Sequence, residues 1–279
     1  MKSGRKFGFA SSSTPPVVLV LLLLYALFPL FVAVNTSLKS RADLFADPLG
    51  LPRELYVSNY AKAFQTGNFK QAFFNSAILA AGTVFGLLLT AIPAAYALAK
   101  IHFKGSSFLV GYYFFCTTIP QQLFIIPLYF TFSRFGLTNS LFGLVLIYIA
   151  TFSPFSILLM RSYFVGIPHE LVEAALIDGA SLFGAFWRVV FPVARPGVIT
   201  TVVVVAMWSW NNFLLPLTFL NQEGMMPVTV RLGMLMGKWS AAWELIMASA
   251  LMGALPIVVL FAFLHRKFIA GLAGTGLKG

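Results

Sequence analysis

Charge is scarce in this chain. Only 10% of its 279 residues are Asp, Glu, Lys or Arg, and just 8 of them are acidic. A soluble domain carries roughly 25% charged residues, so a bilayer is a more natural solvent for this sequence than water. Cysteine is nearly absent as well: Cys116 stands alone inside an apolar run, which excludes an intrachain disulfide and a thiolate zinc site. The 3 histidines, His102, His169 and His265, fall in separate segments. His169-Glu170-Leu171-Val172-Glu173 begins like a zinc-binding H-E-x-x-H helix and lacks the second imidazole. Gly179-Ala180-Ser181-Leu182-Phe183 lacks the closing glycine of a nucleophile elbow. In Gly233-Met-Leu-Met-Gly237-Lys238-Trp239, three residues rather than four separate the glycines, and Trp239 stands where a phosphate loop needs Ser or Thr. Hydrolase, metalloenzyme and ATP-binding functions therefore find no residues to carry them, and no cofactor or metal is expected.

Apolar surface is what the chain has in quantity, at 59% hydrophobic residues. It falls into six runs, at about residues 17–34, 74–98, 108–130, 141–160, 197–220 and 246–264. Each is near or above the roughly 17–25 residues that cross a hydrocarbon core as a helix, and none alternates as a barrel strand does. The first run follows Lys2, Arg5 and Lys6, like a signal peptide. Its core exceeds the roughly 7–15 residues usual for one and no Ala-x-Ala site follows, so an uncleaved first span is expected. Residues 35–73 are too polar to span. Pro29, Pro93, Pro120, Pro127, Pro154, Pro216 and Pro256 lie within the runs, where each frees a backbone carbonyl and can bend or break its helix.

The net charge of +11 suggests a polyanion partner at first sight. The 19 Lys and Arg lie in short segments between apolar runs instead of forming a basic face, so nucleic acid is excluded and membrane orientation is their better use. With six spans both termini share a side. That side holds Lys2, Arg5, Lys6, Lys100, Lys104, Arg161, Arg188, Arg195, Arg266, Lys267 and Lys278, the larger share of the bases, and is taken as cytoplasmic.

One polar interruption, residues 167–196, has helical character of its own and lies on that cytoplasmic side. Pro168 suits a first helical position and Glu170 a first turn, with Val172, Ala175 and Leu176 along one side. Gly179 should end this helix. Ser181 should cap a second one that carries Phe186, Val189 and Val190 and stops before Pro192 and Pro196. A helix-turn-helix for DNA is excluded because the segment is tethered to the bilayer at both ends and carries nearly as many acids as bases.

Glu173-Ala174-Ala175, Asp178-Gly179-Ala180 and Phe191-Pro192 resemble the EAA loop of ABC-importer permeases, with Phe191 where Leu is usual. Ile119-Pro120, Ile126-Pro127-Leu128-Tyr129, Gly136-Leu137-Thr138-Asn139 and Ser209-Trp210-Asn211-Asn212-Phe213 are similar to the carbohydrate-uptake, maltose-type branch. The resemblance spans nearly the whole chain. It implies an all-α membrane protein of type I importer fold, a single permease domain over residues 1–279 with six transmembrane helices. Its coupling helix would use Glu173, Ala174, Ala175, Asp178, Gly179 and Pro192 against an ATPase subunit. The implied partners are a second permease, two ATPase subunits, an extracytoplasmic sugar-binding protein and the sugar, and the implied location is the bacterial cytoplasmic membrane.

Polar side chains within the runs bear on the substrate, because hydrocarbon offers them no partners. Trp210, Asn211 and Asn212 interrupt the fifth run, Gln121 and Gln122 the third, and Asn75 and Ser76 open the second. Amides bond sugar hydroxyls and an aromatic face stacks on a sugar ring, but Asn and Gln also stitch helices together. Both roles stay open for Asn211 and Asn212, while stitching is preferred for Gln121 and Gln122. The alternatives are a related importer for a non-sugar solute and an ion-coupled secondary carrier. The carrier would need charges inside the spans, and the runs hold none.

Overall fold

The computed structural model describes the backbone of residues 16–238 and 242–276, and side chains within 16–237 and 242–266. Among these the chain is helical throughout, without a strand. Lys2, Arg5, Lys6, Trp239 and Lys278 lie outside the described residues.

Helix α1 (Pro16–Ser37) has no charged residue and is exposed along its apolar length, burying only Asn35, Thr36 and Ser37 in its last turn. The polar connection after it is locally ordered. Ser40 caps α2 (Arg41–Ala46) by accepting the Asp43 N–H at 3.0 Å. Lys39 is buried, its ammonium donating to the carbonyls of Asp47 (2.7 Å) and Pro48 (3.0 Å). Asn59 of α3 (Ser58–Thr66) donates to the carbonyls of Ser37 and Lys39, both at 2.9 Å. The Asn59 bonds satisfy carbonyls that would otherwise be orphaned at and just after the end of α1.

The core is the pairing of α4 (Phe69–Lys100) with α7 (Leu141–Val165). Leu79, Thr83, Leu87, Ala91 and Ala95 make a buried stripe at four-residue spacing on α4, and Leu144, Tyr148, Phe152, Ser156, Met160 and Phe164 make another on α7. Such i, i+4 rows are the ridges by which helices interlock. Two hydroxyls in the seam are satisfied within their own helices, Thr83 donating to the Leu79 carbonyl (2.6 Å) and Ser156 to that of Phe152 (2.9 Å), whereas the buried Tyr148 hydroxyl has no hydrogen-bond partner among the described residues.

Two of the six apolar runs are not single straight helices. The run at 108–130 forms α5 (Ser106–Thr118) and, after a 3₁₀ turn Gln121–Phe124, α6 (Ile125–Arg134), with a 92° bend between the two halves. Ile119 precedes Pro120, whose ring disfavours helical backbone at the residue before it, and both are extended. Here proline does break the span. The prolines Pro29, Pro93, Pro154 and Pro256 sit inside continuous helices.

The run at 197–220 is also divided, by Asn212. The coupling stretch contributes α8 (Glu170–Ile177), α9 (Leu182–Ala185), a π turn Phe186–Val190 and α10 (Phe191–Val193). Next comes α11 (Arg195–Asn211), which meets Leu182–Val193 at 75°. Asn212 is extended, and its side-chain oxygen accepts the Leu215 N–H (3.1 Å) to start α12 (Leu214–Phe219). Helix α13 (Val228–Lys238) and the long α14 (Trp243–Gly276) complete the chain. Among the described residues four helices are long and apolar enough to cross a membrane, and by length and composition up to six spans result if each bent pair counts as one.

Candidate functional site

Two regions bring the sequence-flagged residues together, at opposite ends of α11. At its start lies the coupling stretch. Helix α8 begins at Glu170, so Pro168 lies two residues ahead of the helix and not at its first position. Gly179 ends α8 as expected, with φ +85°. The Ala180 N–H reaches the Ala175 carbonyl and the Gly179 N–H that of Leu176, both at 3.0 Å, which is the paired-bond Schellman ending that a left-handed residue permits. Ser181 then accepts the Gly184 N–H (3.1 Å) and opens the second helix, also as expected.

That helix does not stop before Pro192. It passes through the proline because the Phe186–Val190 turn widens to π geometry, with the Phe191 N–H bonding to the Phe186 carbonyl. A π turn removes the i−4 demand that proline cannot meet. The break comes two residues later at Ala194, from which Val198 takes its backbone bond (3.1 Å).

The underside of the stretch is fixed to the bundle. Val172, Ala175, Ala185, Phe186 and Val190 are buried with Ile167 in the main core. The Phe186 ring meets Tyr96 of α4 at 4.8 Å and Phe164 of α7 at 6.2 Å between centroids. Lys100 donates to the Ile167 carbonyl and Arg161 to that of Leu98 (3.3 Å), tying the ends of α4 and α7 beneath it. The small Ala175 lets α8 approach this core. The upper side is bare and apolar, with Ile177 86% and Phe183 73% exposed and Leu171, Leu176 and Leu182 also outward. Glu173, Ala174 and Asp178 share that exposed side. The Glu173 carboxylate, 63% exposed, lies 3.3 Å from the His169 ring. Pro192 is half-buried.

At the other end of α11 is a cleft of about 460 Å³ lined by Gln121, Gln122, Phe152, Trp208, Asn211, Asn212, Phe213 and Leu214. Four of the five sequence-flagged path residues converge there although some 90 positions separate the glutamines from the asparagines. Both helix breaks face it, the 3₁₀ turn after Pro120 and the extended Asn212. Irregular backbone of this kind at membrane depth is tolerated where it lines a cavity. The side-chain amides of Gln121, Gln122 and Asn211 have no hydrogen-bond partner among the described residues, so the preferred stitching role of the glutamines finds no bond to support it.

Trp210 does not join them. It is buried, packs on Phe73 (6.1 Å) and donates its ring N–H to the Gly253 carbonyl of α14 (3.1 Å). Trp208 takes the aromatic place, held by Phe155 (4.7 Å) and Phe152 (5.5 Å). Helical spacing signals this: Trp208 is three residues before Asn211 and shares its face, whereas adjacent residues diverge by about 100°. Asn75 and Ser76 stitch. Asn75 donates to the carbonyls of Gly224 (2.8 Å) and Met226 (3.2 Å), and Ser76 accepts the Val228 N–H (3.0 Å).

Broken apolar spans, an uncommitted amide cleft and an apolar-topped helical platform at the other end of one span suit a membrane transport subunit. The comparisons agree. Residues 88–271 match the family described as binding-protein-dependent transport system inner membrane component, and the chain belongs to that family. It is 31% identical to a probable ABC transporter permease, YurM, of Bacillus subtilis, over 99% of this chain and 91% of that protein. It is 33% identical to a probable starch degradation products transport system permease, AmyC, of Thermoanaerobacterium thermosulfurigenes, over 93% and 94%. To the arabinooligosaccharides transport system permease AraQ of Bacillus subtilis it is 30% identical, over 94% and 93%. A chain of a bacterial ABC transporter involved in the import of alginate shares the fold, with a TM-score of 0.78 at 24% identity over 91% of this chain and 94% of that one.

Proposed function

We propose that this chain is the membrane-spanning permease subunit of an ATP-driven sugar importer of the bacterial cytoplasmic membrane. It passes a sugar through the amide cleft by alternating access, and both termini and the coupling stretch face the cytoplasm. The convergence of Gln121, Gln122, Asn211 and Asn212 on one cleft beside Trp208 carries this assignment. The free amides of Gln121, Gln122 and Asn211 suit sugar hydroxyls and an indole face suits a sugar ring. Relatives named for starch products and arabinooligosaccharides support a saccharide over other solutes.

The platform of Leu171, Glu173, Ala174, Ile177, Asp178, Leu182 and Phe183 is the surface an ATPase subunit would take. ATP hydrolysis falls to that subunit and this chain performs no catalysis. A second permease and an extracytoplasmic binding protein complete the assembly, two ATPase copies being required for two permeases. The route from platform to cleft is short and rigid. Helix α11 runs from Arg195 to Asn211, about 24 Å at 1.5 Å per residue. Helix α7 links Phe164 under the platform to Phe152 in the cleft over about 18 Å. ATP-driven movement of the platform therefore reaches the α11 and α7 sides of the cleft, provided each ligand favours one state.

The test is purification of the intact complex with native mass spectrometry of its subunits, followed by uptake in proteoliposomes. Glu173→Lys is expected to weaken ATPase retention or to uncouple hydrolysis from uptake. A complex that retains its ATPase and transports normally with that substitution would remove Glu173 from the coupling role.

A further inference from the structure

Two segments far apart in sequence leave the amide cleft and arrive at the same corner. Gln121 and Gln122 open the 3₁₀ turn that leads into α6, which ends at Arg134, and Asn212 caps α12, which ends at Phe219. The corner is residues 135–140, between α6 and α7. Its path is fixed locally: the N–H of Gly136 (φ +66°) donates to the Ser133 carbonyl (3.1 Å), that of Leu137 to the Phe132 carbonyl (2.8 Å), and Ser140 caps α7 by accepting the Gly143 N–H (3.2 Å). A Cβ on Gly143 would stand 2.3 Å from the Leu137 carbonyl oxygen, so corner and helix are in close contact.

Asn139 reaches from this corner to the end of α12. It holds a left-handed backbone, φ +53°, which Gly, Asn and Asp tolerate best. Its main-chain N–H donates to the Phe219 carbonyl (2.8 Å), and its side-chain oxygen accepts the N–H groups of both Asn221 and Gln222, the latter at 3.2 Å. The Phe219 ring packs on Tyr129 (5.8 Å) and Phe132 (6.0 Å) of α6. Asn139 is not among the residues that line the cleft, and α6 puts about 15 Å between its two ends, so any effect of this clamp on the cleft acts through α6 and α12.

We infer that Asn139 is a positioning residue of the amide cleft: by clamping the far end of α12 to the α6–α7 corner, it holds the wall that carries Gln121 and Gln122 at a fixed spacing from the wall that begins at Asn212. The inference rests on the transport path proposed above. Two substitutions separate what Asn139 supplies. Asn139→Gly keeps the left-handed backbone and the main-chain bond to Phe219 but removes the acceptor, whereas Asn139→Asp keeps an acceptor for both N–H groups. Loss of two side-chain bonds should lower the clamped population by roughly 5–150-fold, and apparent sugar affinity falls with the fraction of molecules whose walls are in register.

Three readouts test it in the intact complex. Without sugar, nitroxide labels at Gln122→Cys and Leu214→Cys, in a Cys116→Ser background and a complex otherwise free of reactive cysteine, report the spacing across the cleft by EPR. Uptake of maltotriose and arabinotriose into proteoliposomes with the binding protein gives KM and Vmax for the unlabelled variants. Hydrogen exchange of the unaltered complex reads the Asn221 and Gln222 amides. Asn139→Gly is expected to broaden the distance distribution and to raise the uptake KM at least about threefold, with Vmax moved less, while Asn139→Asp restores both. The two amides are expected to exchange slowly. Free exchange at Asn221 and Gln222, or an unbroadened distance in the Gly variant, overturns the clamp and leaves the path standing. An Asp variant as damaged as Gly overturns the acceptor role. A broadened distance with unchanged KM, or uptake of neither sugar, overturns the saccharide path and the positioning role with it.

Discussion

Replacing Gly179 by alanine, asparagine and valine separates backbone strain from surface contact at the coupling turn. At φ +85° an L-residue with a side chain pays roughly 1–2 kcal/mol, less for Asn, whose short polar side chain tolerates the left-handed region. A Cβ at this position would meet no atom within 4 Å, so the chain itself adds no steric term. The penalty falls on the two 3.0 Å bonds that close α8 and so on the angle at which α8 meets the Ser181-capped helix. At 1.4 kcal/mol per tenfold, the population holding the native turn should shift against its alternatives by roughly 5–30-fold for Ala and further for the β-branched Val. Sugar uptake, ATPase activity and ATPase retention are measured in the same membranes. The expected order of damage is Asn, then Ala, then Val, although Asn is bulkier than Ala. A contact surface that merely excludes bulk predicts Ala as the mildest. Full coupling in the Val variant, or Asn more damaging than Ala, refutes the turn-angle argument.

Four further outcomes are expected. Asn211→Ala should raise the uptake KM with little change in thermal stability, because the amide is exposed in the cleft and bonds nothing among the described residues; unchanged uptake kinetics would assign the cleft elsewhere. Asn75→Ala should do the reverse, losing roughly 1–3 kcal/mol of stability by orphaning the carbonyls of Gly224 and Met226, read as a lower melting temperature in detergent. Gly197→Ala places a Cβ 2.5 Å from the Tyr163 ring where α7 and α11 cross, so overpacking of about 1–3 kcal/mol should lower the same melting temperature, and an unchanged value would mean that the crossing is loose. Reporter fusions after Lys104 and at Ser181 should both read cytoplasmic; an extracytoplasmic signal at Ser181 would reverse the orientation.

The helical membrane architecture was legible because the bilayer's demands are written in length and hydropathy alone. The breaks were less so. Seven prolines offered seven places to break a span, yet among them only Pro120 coincides with the sharp bend between α5 and α6, because there the residue before it, Ile119, is extended. Pro93 and Pro154 lie in α4 and α7, whose mutual packing outweighs a lost backbone bond. The break at Asn212 falls four residues before Pro216, which has no N–H to give the Asn212 carbonyl, yet that proline alone does not determine it. It depends on a side-chain cap to Leu215 and on Thr229, seventeen residues on, donating to the Asn212 carbonyl (2.8 Å). Long-range partners of that kind leave no local pattern.

The same distinction separates the two functional regions. The coupling turn is local: a left-handed glycine, a serine cap and a proline within a few residues of one another determine most of its path, and only the π turn that carries the helix through Pro192 escapes a reading based on proline as a stop. The cleft is assembled from two distant segments, and sequence could name its amides without knowing that they meet. Geometry changes their meaning. Asn75, Asn211 and Gln121 were alike as polar side chains in apolar runs, but Asn75 spends its donors on two carbonyls whereas Asn211 and Gln121 keep theirs free. In a membrane a free amide has no water to fall back on unless it lines a cavity, and it is on this ground that the amides left unbonded by the fold are proposed as the path of a hydrogen-bonding solute.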